Sequence, residues 1–124
     1  SYGTYLARVY QNELSDYHID TIFPDEDECQ HINSIIYKIK RRSNDASYDM
    51  KKKLIRVVNS LIEKGAKALI VGCTELSLLV GESCLGGIPV IDSSAVLARA
   101  LIRQSASHKL VQDVGVINKS KGIN

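Results

Sequence analysis

The chain has 124 residues, 44% hydrophobic and 24% charged, the proportions of an ordinary soluble globular domain. A domain of this size buries roughly two thirds of its unfolded surface, enough for a true core. Its 16 basic and 14 acidic residues leave a net charge of +2, and the two signs are mixed along the chain. That mixing argues against a nucleic-acid or membrane-surface partner.

The densest basic runs, Lys38-Ile39-Lys40-Arg41-Arg42 and Lys51-Lys52-Lys53, read as solvated helix ends. No signal peptide is recognised, and no apolar run approaches the ~18 residues of a membrane span. Cys29, Cys73 and Cys84 match neither a disulfide framework nor a zinc pattern, and an odd set of thiols fits a reducing cytoplasm. His18, His31 and His108 share no metal-ligand spacing, so no metal is expected.

In chain order, Thr4 is placed as the N-cap of a first helix carrying Leu6, Val9, Tyr10 and Leu14 on one stripe. Ile19 to Phe23 reads as a short strand stopped by Pro24. The acidic run Asp25-Glu26-Asp27-Glu28 suits the positive end of a second helix, which continues with Ile32, Ile35, Ile36 and Ile39 facing inward. After a polar break over residues 42–46, a third helix carries Met50, Leu54, Val57, Val58, Leu61 and Ile62 at three- and four-residue steps. Gly65 is placed to end it in a left-handed conformation.

Ala66 to Val71 is a near-continuous apolar run, typical of a strand buried on both faces. A short helix over Thr74–Val80 follows, then a loop over Gly81–Gly87 and a second buried strand over Ile88–Ile91. A last helix, capped by Ser93 or Ser94, runs to about Arg103. The boundary is placed at 106, with residues 107–124 a weakly patterned and partly disordered tail. Strands alternating with helices imply a parallel sheet and an α/β fold.

Ligands of open parallel sheets sit beyond the carboxyl ends of the strands, beside the following helix starts. Cys73 falls at such a junction, after Ala68-Leu69-Ile70-Val71-Gly72 and before Thr74. Unpaired amides and the helix dipole favour an anion there, either a thiolate or a bound carboxylate. Thr74 can add a hydroxyl donor, and Glu75 can hydrogen-bond the thiol or a substrate ammonium. From position alone, Cys73 reads equally well as a small buried hydrophobe at a strand end. Cys29, on a polar first helical turn, and Cys84, in a glycine-rich loop, lack this setting.

The segment Gly65-Ala66-Lys67-Ala68-Leu69-Ile70-Val71-Gly72-Cys73-Thr74-Glu75-Leu76 resembles the second catalytic-cysteine signature of the aspartate/glutamate racemase family. Ile88-Pro89-Val90-Ile91-Asp92-Ser93-Ser94 and Leu97-Ala98-Arg99-Ala100 resemble the segment that follows it. Gly3-Thr4 with Tyr10, then Asp20 to Pro24 and Ile35-Ile36-Tyr37, fall in family order, so the resemblance spans about residues 3–103. Glu75 directly after Cys73-Thr74 leans toward the aspartate racemase-like branch, because glutamate racemases usually carry histidine there.

The resemblance implies one lobe of a two-lobed fold, α/β and three-layered around a small parallel sheet, with the active site in the cleft between lobes. It implies cofactor-independent racemisation in which each lobe supplies one cysteine, one thiolate removing the α-proton and the opposite thiol returning a proton to the other face. Carried over by position, Cys73 is one acid/base thiol, and Thr74 and Thr4 are donors near the substrate. Tyr37, Lys40 and Arg41 are candidates for reading a side-chain carboxylate. Neither pyridoxal phosphate nor metal is implied.

The first-lobe cysteine, its following Asn-Thr and the strand expected before Gly3 are absent from this sequence. The partner expected is therefore an N-terminal racemase lobe, and the chain alone is expected not to racemise. Uncovered apolar surface would favour homo-oligomers. The alternative is a non-catalytic module that binds small anions or amino acids at the same helix start. A different isomerase or decarboxylase chemistry on the same scaffold, or a purely structural interaction domain, stays open.

Overall fold

The computed structural model describes residues 2–41, 47–81 and 83–110. The elements run α1 (Tyr2–Leu6), α2 (Val9–Ser15), α3 (Glu26–Lys40), α4 (Ser47–Glu63), β1 (Leu69–Val71), α5 (Thr74–Val80), β2 (Cys84–Leu85), β3 (Ile88–Asp92) and α6 (Ser93–Ser105). The fold is α/β. β1 and β3 pair in parallel, Leu69 with Val90, Ile70 with Ile91 and Val71 with Asp92, and α5 lies in the connection between them. β2, in the segment expected to be a loop, adds an antiparallel edge through Cys84–Pro89 and Leu85–Ile88 pairing. The order is therefore β1-β3-β2, and the sheet is mixed.

The first expected helix is two. Thr4 lies inside α1 rather than capping it, and the chain turns at Arg8, whose φ of 52° is left-handed. That conformation costs a non-glycine residue about 1–2 kcal/mol. Arg8→Gly is therefore expected to stabilise the domain by about 0.5–1 kcal/mol once glycine's entropy is subtracted. A raised urea midpoint checks this; a lowered one would mean that the arginine side chain holds the corner. Ile19 to Phe23 is not a strand. Its apolar alternation is strand-like, but the segment forms no backbone ladder among the described residues.

α3 starts as its acidic run requires. The Asp25 carboxylate accepts from the Glu28 amide at 2.9 Å, and the Glu28 carboxylate accepts from the Asp25 amide at 2.8 Å, a reciprocal capping box. Lys64 lies 3.1 Å from Glu28 and ties the end of α4 to the start of α3. Past α4, Gly65 takes φ 103°. Its amide donates to Ile62 and that of Ala66 to Leu61, both at 2.9 Å, the paired bonds of a Schellman ending. The polar break at 42–46 and the tail from 111 lie outside the described residues. One 3-10 turn, Ser107–Lys109, continues past α6.

The core forms where α3, α4 and α5 meet the sheet. Ile35, Met50, Leu54, Val58, Val71, Val80 and Leu85 are buried together. Leu69 and Val90, register partners, pack against this cluster from the sheet. The strands are not buried on both faces as their sequences suggested. Ile70 and Ile91, also partners, point the other way and remain 39% and 43% exposed. α6 contributes no buried residue and leaves Val96, Leu97 and Leu101 exposed. Among the described residues no helix is long and apolar enough to cross a membrane.

Candidate active site

The parallel strands β1 and β3 end side by side, each running directly into a helix. β1 leads through Gly72 to Cys73, the N-cap of α5, in extended conformation with φ −147° and ψ 128°. β3 leads to Asp92, the N-cap of α6. Asp92, not Ser93 or Ser94, is that cap: its carboxylate accepts from the Ser94 amide at 2.8 Å and the Ala95 amide at 3.3 Å. Ser93 is diverted to the neighbouring strand, donating its hydroxyl to the Val71 carbonyl at 2.9 Å. Burial opposes ionisation of Asp92, yet bonds from the Ser77 side chain and these amides hold its carboxyl below the usual range. Ser77 and Ser93 thus interlock the two strand-to-helix junctions.

The Cys73 thiol is the donor in a bond to Glu75 Oε2 at 2.9 Å, and the Thr74 hydroxyl donates to the same oxygen at 3.1 Å. On the other oxygen, Lys40 Nζ reaches Glu75 Oε1 at 3.8 Å from the end of α3. These partners hold Glu75 at a pKa of about 2, the thiol bond contributing most, followed by its own amide, the Thr74 hydroxyl and Lys40. The thiol is affected in the opposite sense. Desolvation first, then the bond to the Glu75 carboxylate and its charge, raise Cys73 above the usual thiol value, with only partial relief from the Glu75 amide.

The anion at this junction is therefore the Glu75 carboxylate, and Cys73 beside it is a neutral proton donor. By sequence the helix start favours an anion, either a thiolate or a bound carboxylate. Against a thiolate stands the Glu75 charge, a full negative charge that outweighs the partial charge of one short helix and the relief from the Glu75 amide. Because the thiol pKa is raised, the protonated form dominates at neutral pH and alkylation should accelerate only as pH rises through that raised value. Glu75→Gln removes the charge, and the Cys73 pKa should fall toward the ordinary thiol range. A less basic thiolate is also a poorer nucleophile, which offsets part of the gain, so iodoacetamide alkylation at pH 7.5 should rise only severalfold. Peptide-resolved mass spectrometry reads it, and an unchanged rate would show that the carboxylate does not control the thiol.

Of the other residues singled out from sequence, Thr4 sits half-buried within α1. Arg41 is the exposed C-cap of α3, and Tyr37 is exposed on the same helix. Lys40, rather than Arg41, is the basic residue that meets Glu75. Cys29 donates to the Pro24 carbonyl at 3.6 Å, and Cys84 lies exposed in β2. Among the described residues, no three His, Cys, Asp or Glu side chains are grouped to hold a metal.

The family model for Asp/Glu/hydantoin racemases matches residues 1–101. The chain belongs to that family. Within this racemase-family lobe, the matched span takes in every element from α1 to most of α6, including the Cys73–Glu75 pair. A protein of Pectobacterium carotovorum subsp. carotovorum, described as an uncharacterised protein in the pnlA 3′ region, is 32% identical over 80 residues, 64% of this chain. The matched segment spans 51% of that relative's length.

Proposed function

We propose that this lobe supplies one acid/base thiol, Cys73, to a cofactor-independent racemase acting on aspartate or glutamate. The observation that carries the reading is the Cys73 thiol hydrogen-bonded at 2.9 Å to the Glu75 carboxylate at the carboxyl end of a parallel strand. Racemisation through a carbanion requires a positioned acid on one face of the α-carbon and a base on the other. Cys73 rests in the acid form. It delivers its proton to the carbanion and becomes a thiolate, while a thiolate from the opposite lobe has taken the original α-proton and become a thiol. In the reverse direction the two exchange roles, so atoms and charge balance over a cycle.

Glu75 is suited to the change of role. A substrate ammonium pairing with its carboxylate weakens the hold on the thiol, lowers the Cys73 pKa and brings the thiolate within reach. Thr74, Thr4 and the basic residues Lys40 and Arg41 are the candidate contacts to substrate carboxylates. The second thiol comes from a partner lobe facing this one in a cytoplasmic enzyme, and the exposed apolar surface over Ile70, Ile91 and α6 supports association with another lobe or copy. Chiral chromatography of D- and L-aspartate, D- and L-glutamate and a substituted hydantoin tests the substrate class. Turnover of an acidic amino acid is expected only with the second thiol-bearing lobe present. Turnover of the hydantoin alone would move the substrate within the family, and ligand binding with no turnover of any of them would make this a binding module.

A further inference from the structure

The Gly72 turn is held from both sides, and one of the two restraints comes from the start of the chain. On one side, Ser93 pins the Val71 carbonyl. On the other lies Tyr10, the second residue of α2. A Cβ placed on Gly72 would fall 2.8 Å from Tyr10 Cε2, 2.9 Å from its hydroxyl oxygen and 3.2 Å from Cζ. No side chain fits there while the ring stays in place, which gives a physical reason for glycine immediately before the reactive cysteine. Cys73 beyond it is fixed by its own carbonyl, which accepts from the amides of Leu76 and Ser77 at 3.1 and 3.2 Å.

The helix that brings Tyr10 here is itself located by two unusual corners. α2 is preceded by Arg8 and followed by His18, with φ of 52° and 56°. A left-handed non-glycine residue is strained and persists only where its surroundings determine it. A seven-residue helix set between two such corners places its half-buried tyrosine on one spot of the sheet edge, and that spot is Gly72.

We propose that Tyr10 is a positioning residue for Cys73: its ring closes one side of the Gly72 turn and keeps the thiol directed at the Glu75 carboxylate. The role matters to catalysis only if Cys73 is the reacting thiol of the proposed racemase. Its readout, however, is thiol reactivity without substrate, so the positioning role and the racemase reading fail separately.

The test is the pH profile of iodoacetamide alkylation at Cys73, resolved by peptide mass spectrometry, with Cys29 as internal reference. Wild type is compared with Tyr10→Phe, Tyr10→Leu, Gly72→Ala and the double variant. Tyr10→Phe keeps the ring and should reproduce the wild-type profile. Tyr10→Leu frees the turn; the thiol leaves Glu75, and its alkylation at pH 7.5 should rise about threefold or more while Cys29 is unchanged. Gly72→Ala should displace the ring and raise the rate similarly, and adding Tyr10→Leu to it should have little further effect. A general loosening of the domain would instead speed Cys29 and Cys73 together, and that outcome overturns the proposal. So would a wild-type profile in Tyr10→Leu, or a Phe variant behaving like Leu. If Tyr10→Leu does not fold, Gly72→Ala decides: a wild-type profile there means that the ring yields freely and positions nothing.

Discussion

Ile35→Ala is expected to destabilise the domain by about 2–5 kcal/mol, the cost of deleting a fully enclosed aliphatic side chain and leaving a cavity. Ile35 is 1% exposed, the most deeply buried large side chain among the described residues. It sits where α3 meets Met50, Leu54 and Val58 of α4, Val71 of β1 and Val80 of α5. These neighbours belong to three separate elements, each fixed by other contacts, so the gap cannot collapse cheaply. The midpoint of thermal unfolding should drop by roughly 8–20 °C. Tyr37→Ala, two positions along the same helix but exposed, should change stability by no more than about 0.5 kcal/mol. Equal effects from the two substitutions would mean that α3 is not seated on the core as described. The consequence reaches the site, because α3 also carries Lys40 to Glu75.

Elements whose ends are set by local chemistry were legible in the sequence. The start of α3 at the acidic run Asp25–Glu28, the Gly65 ending of α4 and the span of α5 from Thr74 to Val80 follow from neighbouring residues alone. What depended on partners was not. Ile19 to Phe23 has a strand's pattern, but a strand exists only when a neighbour accepts its hydrogen bonds. β2 is two residues long, too short for any periodicity to register. The corner at Arg8 carries no glycine or asparagine to announce it. Asp92, Ser93 and Ser94 are all good cap residues, and the choice among them was made by β3, which ends at Asp92 and leaves Ser93 facing Val71.

The site divides along the same line. Cys73, Thr74 and Glu75 are contiguous, so their cluster could be read directly, including the possibility of a thiol–carboxylate bond. The protonation state could not be read, because it depends on how far each group is desolvated and which of its bonds form. Lys40 and Tyr10 come from helices remote in sequence. Only the packing of α3 against α5 and of α2 against the end of β1 brings them to the cysteine. Lys40 and Arg41 were both basic candidates by resemblance; Arg41 lies one residue past the helix end, and Lys40 before it reaches the carboxylate.

Cys73→Ser carries the largest functional effect. Serine nearly preserves the volume and can still donate to Glu75, so the fold and substrate binding should change little. Its hydroxyl is far too weak an acid to exchange protons with an α-carbanion at neutral pH, and loss of a positioned acid/base group costs about 10²–10⁴-fold. The decisive measurement is α-proton exchange of D- and L-aspartate and glutamate in deuterated water, followed by proton NMR with the second thiol-bearing lobe present. Wild type should wash deuterium into the α-position of both enantiomers. Cys73→Ser should slow by the full factor the exchange of the enantiomer whose proton Cys73 removes, and racemisation with it, while binding persists. Exchange of both enantiomers at the wild-type rate in Cys73→Ser would contradict the assignment of Cys73 as the acid/base thiol.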